Sequence, residues 1–177
     1  SSPGGGIWKS TNSGTTWTPL TDNNSAYMTI MNLAIDPTNS NVVYAAINNG
    51  GVIKTTDGGI TWNNTGAGPV STKKILIDPT NTTNVFVASN AGIHKSTNGG
   101  TTWTLVHAVA KEDIEFKPGD VSTLYSSGNG SASVSSVYRS NDGGNTWTAL
   151  AVADGITNFG RTLLGVSPND PNMVYAV

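Results

Sequence analysis

Cysteine is missing from this 177-residue chain, which rules out a disulfide framework and any metal site built on thiolates. Charge is scarce as well. Nine Lys and Arg against eleven Asp and Glu give a formal net charge of −2. Without a basic field, neither nucleic acid nor an anionic membrane is expected as the main partner. No apolar run approaches the roughly 20 residues of a bilayer-spanning helix, and the first residues show no signal-peptide pattern. Histidine occurs only as His94 and His107, too few and too far apart for a zinc site. No Ser–His–Asp arrangement is marked. No metal and no cofactor are expected.

What fills the chain instead is Gly, Ser, Thr and Asn between short β-branched runs. That is too Gly-rich for a helical protein and too regular for disorder. One nine-residue segment, called the box below, occurs four times: Lys9 to Trp17 (KSTNSGTTW), Lys54 to Trp62 (KTTDGGITW), Lys95 to Trp103 (KSTNGGTTW) and Arg139 to Trp147 (RSNDGGNTW). The tryptophans recur every 41 to 45 residues, a period that marks a propeller or solenoid. The side chains of Asn12, Asp57, Asn98 and Asp142 suit an Asx-type turn that accepts backbone N–H groups further on. Gly14, Gly59, Gly100 and Gly144 follow two places later and suit positive φ. Trp17, Trp62, Trp103 and Trp147 are expected to open the next strand and to bring a large apolar area to the packing between units.

Between boxes the strand signals repeat. In the first full unit they are Ile30 to Ile35, Val42 to Ile47, Val52 to Thr55 and Ile60 to Asn63, separated by turn sequences such as Asp36-Pro37-Thr38-Asn39 and Asn48-Asn49-Gly50-Gly51. Four strands in about 42 residues make a β-propeller blade. The chain therefore reads as an all-β propeller of four-stranded antiparallel blades, about four blades' worth. A partial blade spans 7–19, whole blades span about 28–63, 72–106 and 112–150, and a partial blade spans 161–177. The two partial blades are complementary halves, and an excerpt of a larger propeller is favoured over a closed four-bladed ring. The rest of a longer chain or a second copy would then complete it.

The four boxes resemble the Asp-box, or bacterial neuraminidase repeat, of sialidases, sortilin-type receptors and the two-propeller xyloglucan-cleaving glycosidases. The phrases GGGIWKSTNSGTTW, IDPTN, DIEFKPGD and VSPNDPN look like large secreted proteins of Bacteroidetes-type bacteria. The resemblance implies an extracellular or cell-surface setting, and boxes that are structural turns remote from any ligand. Strand alternation places the boxes and the turns holding Asp36, Asp78, Asp120 and Asp170 at one end of the blades. The crossovers and the turns between second and third strands lie at the other, which is the usual ligand face of a propeller. Its distinctive side chains are Asp22, Tyr27, Lys73, Lys74, His107, Lys111, Glu112, Asp113, Asp154, Phe159 and Arg161. Glu115 is an oddity, because Ala34, Leu76 and Gly165 hold its place in the other innermost strands.

Enzyme readings run short of residues. A sialidase needs three arginines, and only Arg139 and Arg161 are present. The xyloglucan-cleaving family carries its acid in the turn after the second strand, which here is Asn48 to Gly51 and holds no carboxylate. A glycosidase pair roughly 5 to 10 Å apart would have to come from Asp22, Glu112, Asp113, Glu115 or Asp154. The expected function is a non-catalytic extracellular binding or scaffold module for a glycan or protein, its carboxylates scattered or paired with Lys111 and Arg161. Part of a polysaccharide-cleaving hydrolase is the alternative, and a structural spacer a second one.

Overall fold

A computed structural model describes residues 6–21, 29–66, 68–129, 136–150 and 160–177. Short runs of Val, Ile, Tyr and Phe between Gly- and Asn-rich turns form sixteen strands, and no helix occurs among the described residues. Three four-stranded antiparallel sheets follow one another along the chain. The first comprises β3 (Ile30–Ile35), β4 (Val43–Ile47), β5 (Gly51–Thr55) and β6 (Asn63–Asn64). The second comprises β7 (Thr72–Ile77), β8 (Val85–Ser89), β9 (Gly92–Ser96) and β10 (Thr104–His107). The third comprises β11 (Asp113–Lys117), β12 (Asp120–Ser127), β13 (Val137–Ser140) and β14 (Thr148–Ala149). Two-stranded sheets flank them: β1 (Trp8–Lys9) with β2 (Thr18–Pro19), and β15 (Leu164–Val166) with β16 (Val174–Ala176). The first strands β3, β7, β11 and β15 adjoin one another in that order. This is the innermost layer of a partial β-propeller of up-and-down blades.

The fourth strands start later than the sequence suggests, and the box explains why. In the third box, the Ser96 hydroxyl accepts from the N–H of Gly100 at 2.9 Å and donates to Asn98 Oδ1 at 2.9 Å. Asn98 Oδ1 in turn accepts from the N–H of Thr102 at 2.9 Å. Ser10, Thr55 and Ser140 repeat the hydroxyl bond to the box glycine, and Asn12, Asp57 and Asp142 repeat the bond to the Thr four residues on. The turn therefore holds its backbone until the tryptophan, and ladder pairing begins only after it. Thr61 donates to Asp57 through its hydroxyl and its N–H, and with Thr55 holds the Asp57 carboxyl well below its ordinary range. Thr146 does the same for Asp142, lowering it to about 2. Both glycines in the third box take positive φ, 66° at Gly99 and 87° at Gly100. The first of them lies outside the Asx-to-glycine spacing that marks the box.

The other turn at this end is the Asp-Pro turn, and the box is bonded to it. Gly58, Gly99 and Gly143 donate to the carbonyls of Asn41, Thr83 and Ser122 in their own blades, at 2.8 to 2.9 Å. Burial pushes the Asp36 and Asp78 carboxyls up, but hydrogen bonds led by Thr38 and Thr80 outweigh it and lower both. Asp120 and Asp170 occupy the later turn position of Asn39 and Asn81, each accepting from an N–H two residues on.

The cores lie between blades, which is why the strands are apolar on both faces. Tyr44, Ala46 and Val52 of the first whole blade pack with Ile75, Ile77, Val85 and Val87 of the second. Phe86, Ala88 and Ile93 pack likewise with Ile114 and Leu124 of the third. Each joint has a repeated lock. The cation opening a box reaches the first glycine carbonyl of the next blade's box: Lys9 to Gly58 at 3.0 Å, Lys54 to Gly99 at 2.9 Å, Lys95 to Gly143 at 2.8 Å. The second box glycine then sits against the aromatic of the preceding blade's second strand. A Cβ on Gly144 would come within 2.6 Å of Phe86, and one on Gly100 within 3.3 Å of Tyr44. Trp62, Trp103 and Trp147 are half-buried wedges at these joints, not strand openers. Trp103 Nε1 donates to the Thr65 carbonyl of the blade before it at 3.2 Å.

Candidate functional site

The crossover end carries the charged side chains that the repeat does not explain. It is built on the innermost strands, where one position points from each blade toward the next. In the first whole blade that position is Asn32, whose Oδ1 accepts from the N–H of Ile75 in the second at 3.1 Å. In the third it is Asp113, whose Oδ2 accepts from the N–H of Leu164 in the following half-blade at 2.8 Å. In the second it is Lys74, which has no acceptor to offer. Asp113 Oδ1 instead accepts from the N–H of its own neighbour Ile114 at 2.9 Å, and Lys74 Nζ lies 2.6 Å from that same oxygen. Asp113 is buried by this arrangement, and it ties three successive innermost strands together.

Glu115 completes the cluster, with Oε1 2.5 Å from Lys74 Nζ. Burial disfavours the Lys74 charge, but hydrogen bonding and Coulomb attraction from Asp113 and Glu115 outweigh it and raise its pKa. One ammonium thus holds two carboxylates from the neighbouring blade. Glu112 makes a separate pair with Arg161, Oε2 to Nε at 3.3 Å, with the guanidinium largely in solvent. Such an exposed pair contributes about 0–1 kcal/mol.

Among the described residues Lys111 meets no carboxylate. Its backbone N–H donates to Ser89 of the second whole blade at 2.8 Å. Its side chain is buried with Nζ 3.6 Å from the centre of the Tyr138 ring in the third. A cation over an aromatic face is attracted by the ring quadrupole, but burial dominates and lowers the amine to about 7. His107 lies beside it, 4.6 Å from Tyr138 between ring centres. Burial, then the charge of Lys111, lowers the imidazole to about 4. His107 Nε2 is buried without a hydrogen-bond partner among the described residues.

Of the candidates on this face, Lys74 and Asp113 meet directly, Glu112 meets Arg161, and His107 meets Lys111. Lys73 sits half-buried on β7. Asp22, Tyr27, Asp154 and Phe159 lie outside the described residues. The box residues stand at the opposite end with the Asp-Pro turns. Asn32 is not among the sequence candidates, although it is the one polar side chain within β3. No group of three His, Cys, Asp or Glu able to hold a metal ion occurs among the described residues. The turn from Asn48 to Gly51 takes positive φ at Asn49 and Gly51, is held by the Ser71 and Thr72 hydroxyls donating to Asn49 Oδ1 and the Gly51 carbonyl, and presents no acid.

No protein family matches the chain by sequence, and no curated protein does. Solved structures do. A GH74 enzyme of Niastella koreensis superposes with a TM-score of 0.71 and 27% identity over 92% of this chain and 28% of its own. The GH74 xyloglucanase of Xanthomonas campestris gives 0.69 and 19% over 89% of this chain and 28% of its own. An auxiliary nutrient binding protein of Bacteroides thetaiotaomicron gives 0.64 and 16% over 84% and 35%. The chain spans about a third or less of the length of these proteins, and what it shares with them is the propeller fold.

Proposed function

We propose that the chain is a non-catalytic β-propeller module, its boxes being Asp-boxes, that presents its crossover end to an extracellular glycan. The observation that carries this reading is the engagement of the described carboxylates there. Asp113 is held by two backbone N–H groups and Lys74, Glu115 by Lys74, and Glu112 by Arg161. A catalytic carboxyl has to reach the substrate within hydrogen-bond distance, and these three are turned onto protein partners instead. Likeness to a xyloglucanase, whose name gives a sugar polymer as its substrate, supports a glycan as the ligand class.

A second reading has its own support. The likeness to two GH74 enzymes covers about nine-tenths of this chain, which suits a piece of a polysaccharide-cleaving hydrolase whose acid and base lie elsewhere. The deciding experiment joins a glycan array, with immobilised proteins as a second panel, to a reducing-sugar assay on xyloglucan and related β-glucans. Glycan binding without turnover is the expected result. Release of reducing sugar that is lost in Glu112→Gln or Asp113→Asn overturns it in favour of the hydrolase. Capture on the protein panel alone changes the ligand class, and silence on all three leaves a spacer.

A further inference from the structure

The joint between the second and third whole blades departs from the repeat at its crossover end. Beside Tyr125 and Arg139, the next cross-strand pair of β12 and β13 is Ser126 with Tyr138. Its counterparts are Ala45 with Ile53 in the first blade and Val87 with His94 in the second. Two pairs further on, Gly51 and Gly92 end the ladder in those blades. Ser136 stands there in the third, its carbonyl accepting from the N–H of Gly128 at 2.9 Å.

These side chains share one face, because residues opposite on a ladder, and those two apart along a strand, point the same way. Leu124, two before Ser126, packs on Phe86, Ala88 and Ile93 of the second blade. A Cβ on Gly128, two after Ser126, would come within 2.4 Å of the Ala110 carbonyl oxygen and 3.2 Å of Lys111 Cα. The face therefore looks onto the second blade and onto the crossover that leaves it. From that side Lys111 Nζ and His107 lie against the Tyr138 ring. Ser126 and Ser136 flank the ring, both fully buried.

What gathers here is a surplus of donors. Ser126 Oγ, Ser136 Oγ and His107 Nε2 are three of the four buried side-chain polar atoms without a hydrogen-bond partner among the described residues. Lys111 is 1% exposed. The carboxylates that follow it in the chain are engaged elsewhere, Glu112 by Arg161 and Asp113 by Lys74 and two backbone N–H groups. Buried polar groups are almost always paired, and a buried charge needs an opposite one beside it. Water satisfies hydroxyls and an imidazole but leaves an ammonium uncompensated. The blade itself has no need of these groups, since Ala45 and Ile53 fill the same positions in the first blade.

We propose that this joint binds a small monovalent inorganic anion between Lys111, His107, Ser126 and Ser136. The ammonium supplies the opposite charge. The two hydroxyls, and the imidazole as its Nε2–H tautomer, supply the remaining donors, and the Tyr138 ring backs the lysine. The ion pins the crossover at Lys111 to the third blade. It is internal to the joint and independent of any glycan at the crossover end.

The test is thermal unfolding at neutral pH with chloride exchanged for gluconate at constant ionic strength. The wild type should gain stability as chloride rises and then saturate. Lys111→Met should show no saturable gain, and its response measures the general salt effect. Ser126→Ala installs the residue type of Ala45, so it should fold. It should raise the chloride concentration at half-saturation about tenfold, as expected for one lost hydrogen bond to a charged group. Crystals soaked in bromide should show an anomalous scattering peak in contact with Lys111 Nζ, a readout that stands even where Lys111→Met fails to fold. A wild type indifferent to chloride overturns the proposal. So does a saturable gain that survives in Lys111→Met, a half-saturation unmoved by Ser126→Ala, or the absence of bromide at Lys111.

Discussion

Equivalent residues fare differently in the interior of the arc and at its ends. Ile75 and Ile77 on β7 are 3% and 8% exposed against the blade before them. Leu33 and Ile35 hold the same positions on β3 and are 45% and 61% exposed. Their sequences ask for the same burial, and their strands pair in the same register. The difference is the neighbour. A blade hydrogen-bonds itself but does not bury itself, so its apolar faces contribute stability only where the next blade covers them, at about 25 cal/mol per Å². The same local turn or wedge is therefore worth more in the middle of the arc than at its edge, as expected of repeat architectures in which stability is shared between nearest neighbours.

The tryptophan wedges should display the largest contrast. Trp103→Ala removes a half-buried indole and its bond to Thr65, and should cost about 2–4 kcal/mol. Trp17→Ala removes an exposed one and should cost about 0.5 kcal/mol or less. Paired urea titrations measure both. Equal losses would mean that the wedge acts within its own turn and not on the joint.

The box hydroxyls should show a smaller contrast of the same sign. Ser96 is buried, and Ser96→Ala leaves the Gly100 N–H without its acceptor, a loss of about 1–3 kcal/mol. Ser10 makes the same bonds in a solvent-exposed turn, where water replaces them, so Ser10→Ala should stay within about 0.5 kcal/mol. Thermal unfolding of the two variants compares them directly. A Ser10 loss as large as that at Ser96 would show that the turn itself, and not its burial, sets the value.

The joint between the second and third blades should add a slope of stability with pH above the carboxylate range. Lys111 and His107 both have pKa values lowered by folding, to about 7 and about 4. Tyr138 faces both and is raised by burial. Between each lowered value and the ordinary one, the unfolded chain binds more protons than the folded one, so stability rises with pH. The rise should fall in two windows, from pH 4 to 6.5 for His107 and from about 7 to 10.5 for Lys111. His94, lowered by burial, adds in the same direction. Lys111→Met should abolish the upper window and, by removing the charge beside His107, narrow the lower one without abolishing it. A slope above pH 7 that survives that substitution would assign the proton to another group.

Much of this was legible along the chain. The boxes, the Asp-Pro turns and the order of strands follow from residues that bond to partners two to five places away, so short-range pattern suffices to find them. The fourth strands were misplaced by a few residues because Asp57 and its counterparts hold the turn open as far as the tryptophan. The site was harder to read. Glu115 stands out in the sequence as an oddity, and of the two cations offered to the carboxylates Arg161 meets Glu112 while Lys111 lies on Tyr138. Nothing local to Lys74 says that it will hold Asp113 and Glu115, because both come from the next blade along.

By itself, then, the sequence determined what is completed within one repeat: the blade period, the positive-φ turns, the apolar strands and the cation at the head of each box. Only the tertiary structure decided what depends on two repeats at once. Which tryptophans are covered, where each box lysine ends, and how three charged side chains share one cluster are all settled across joints between residues roughly one blade apart. The physical reason is one of range. A turn hydrogen bond is made by neighbours in the chain, whereas burial and charge pairing are made by whichever surfaces the stacking of blades brings together.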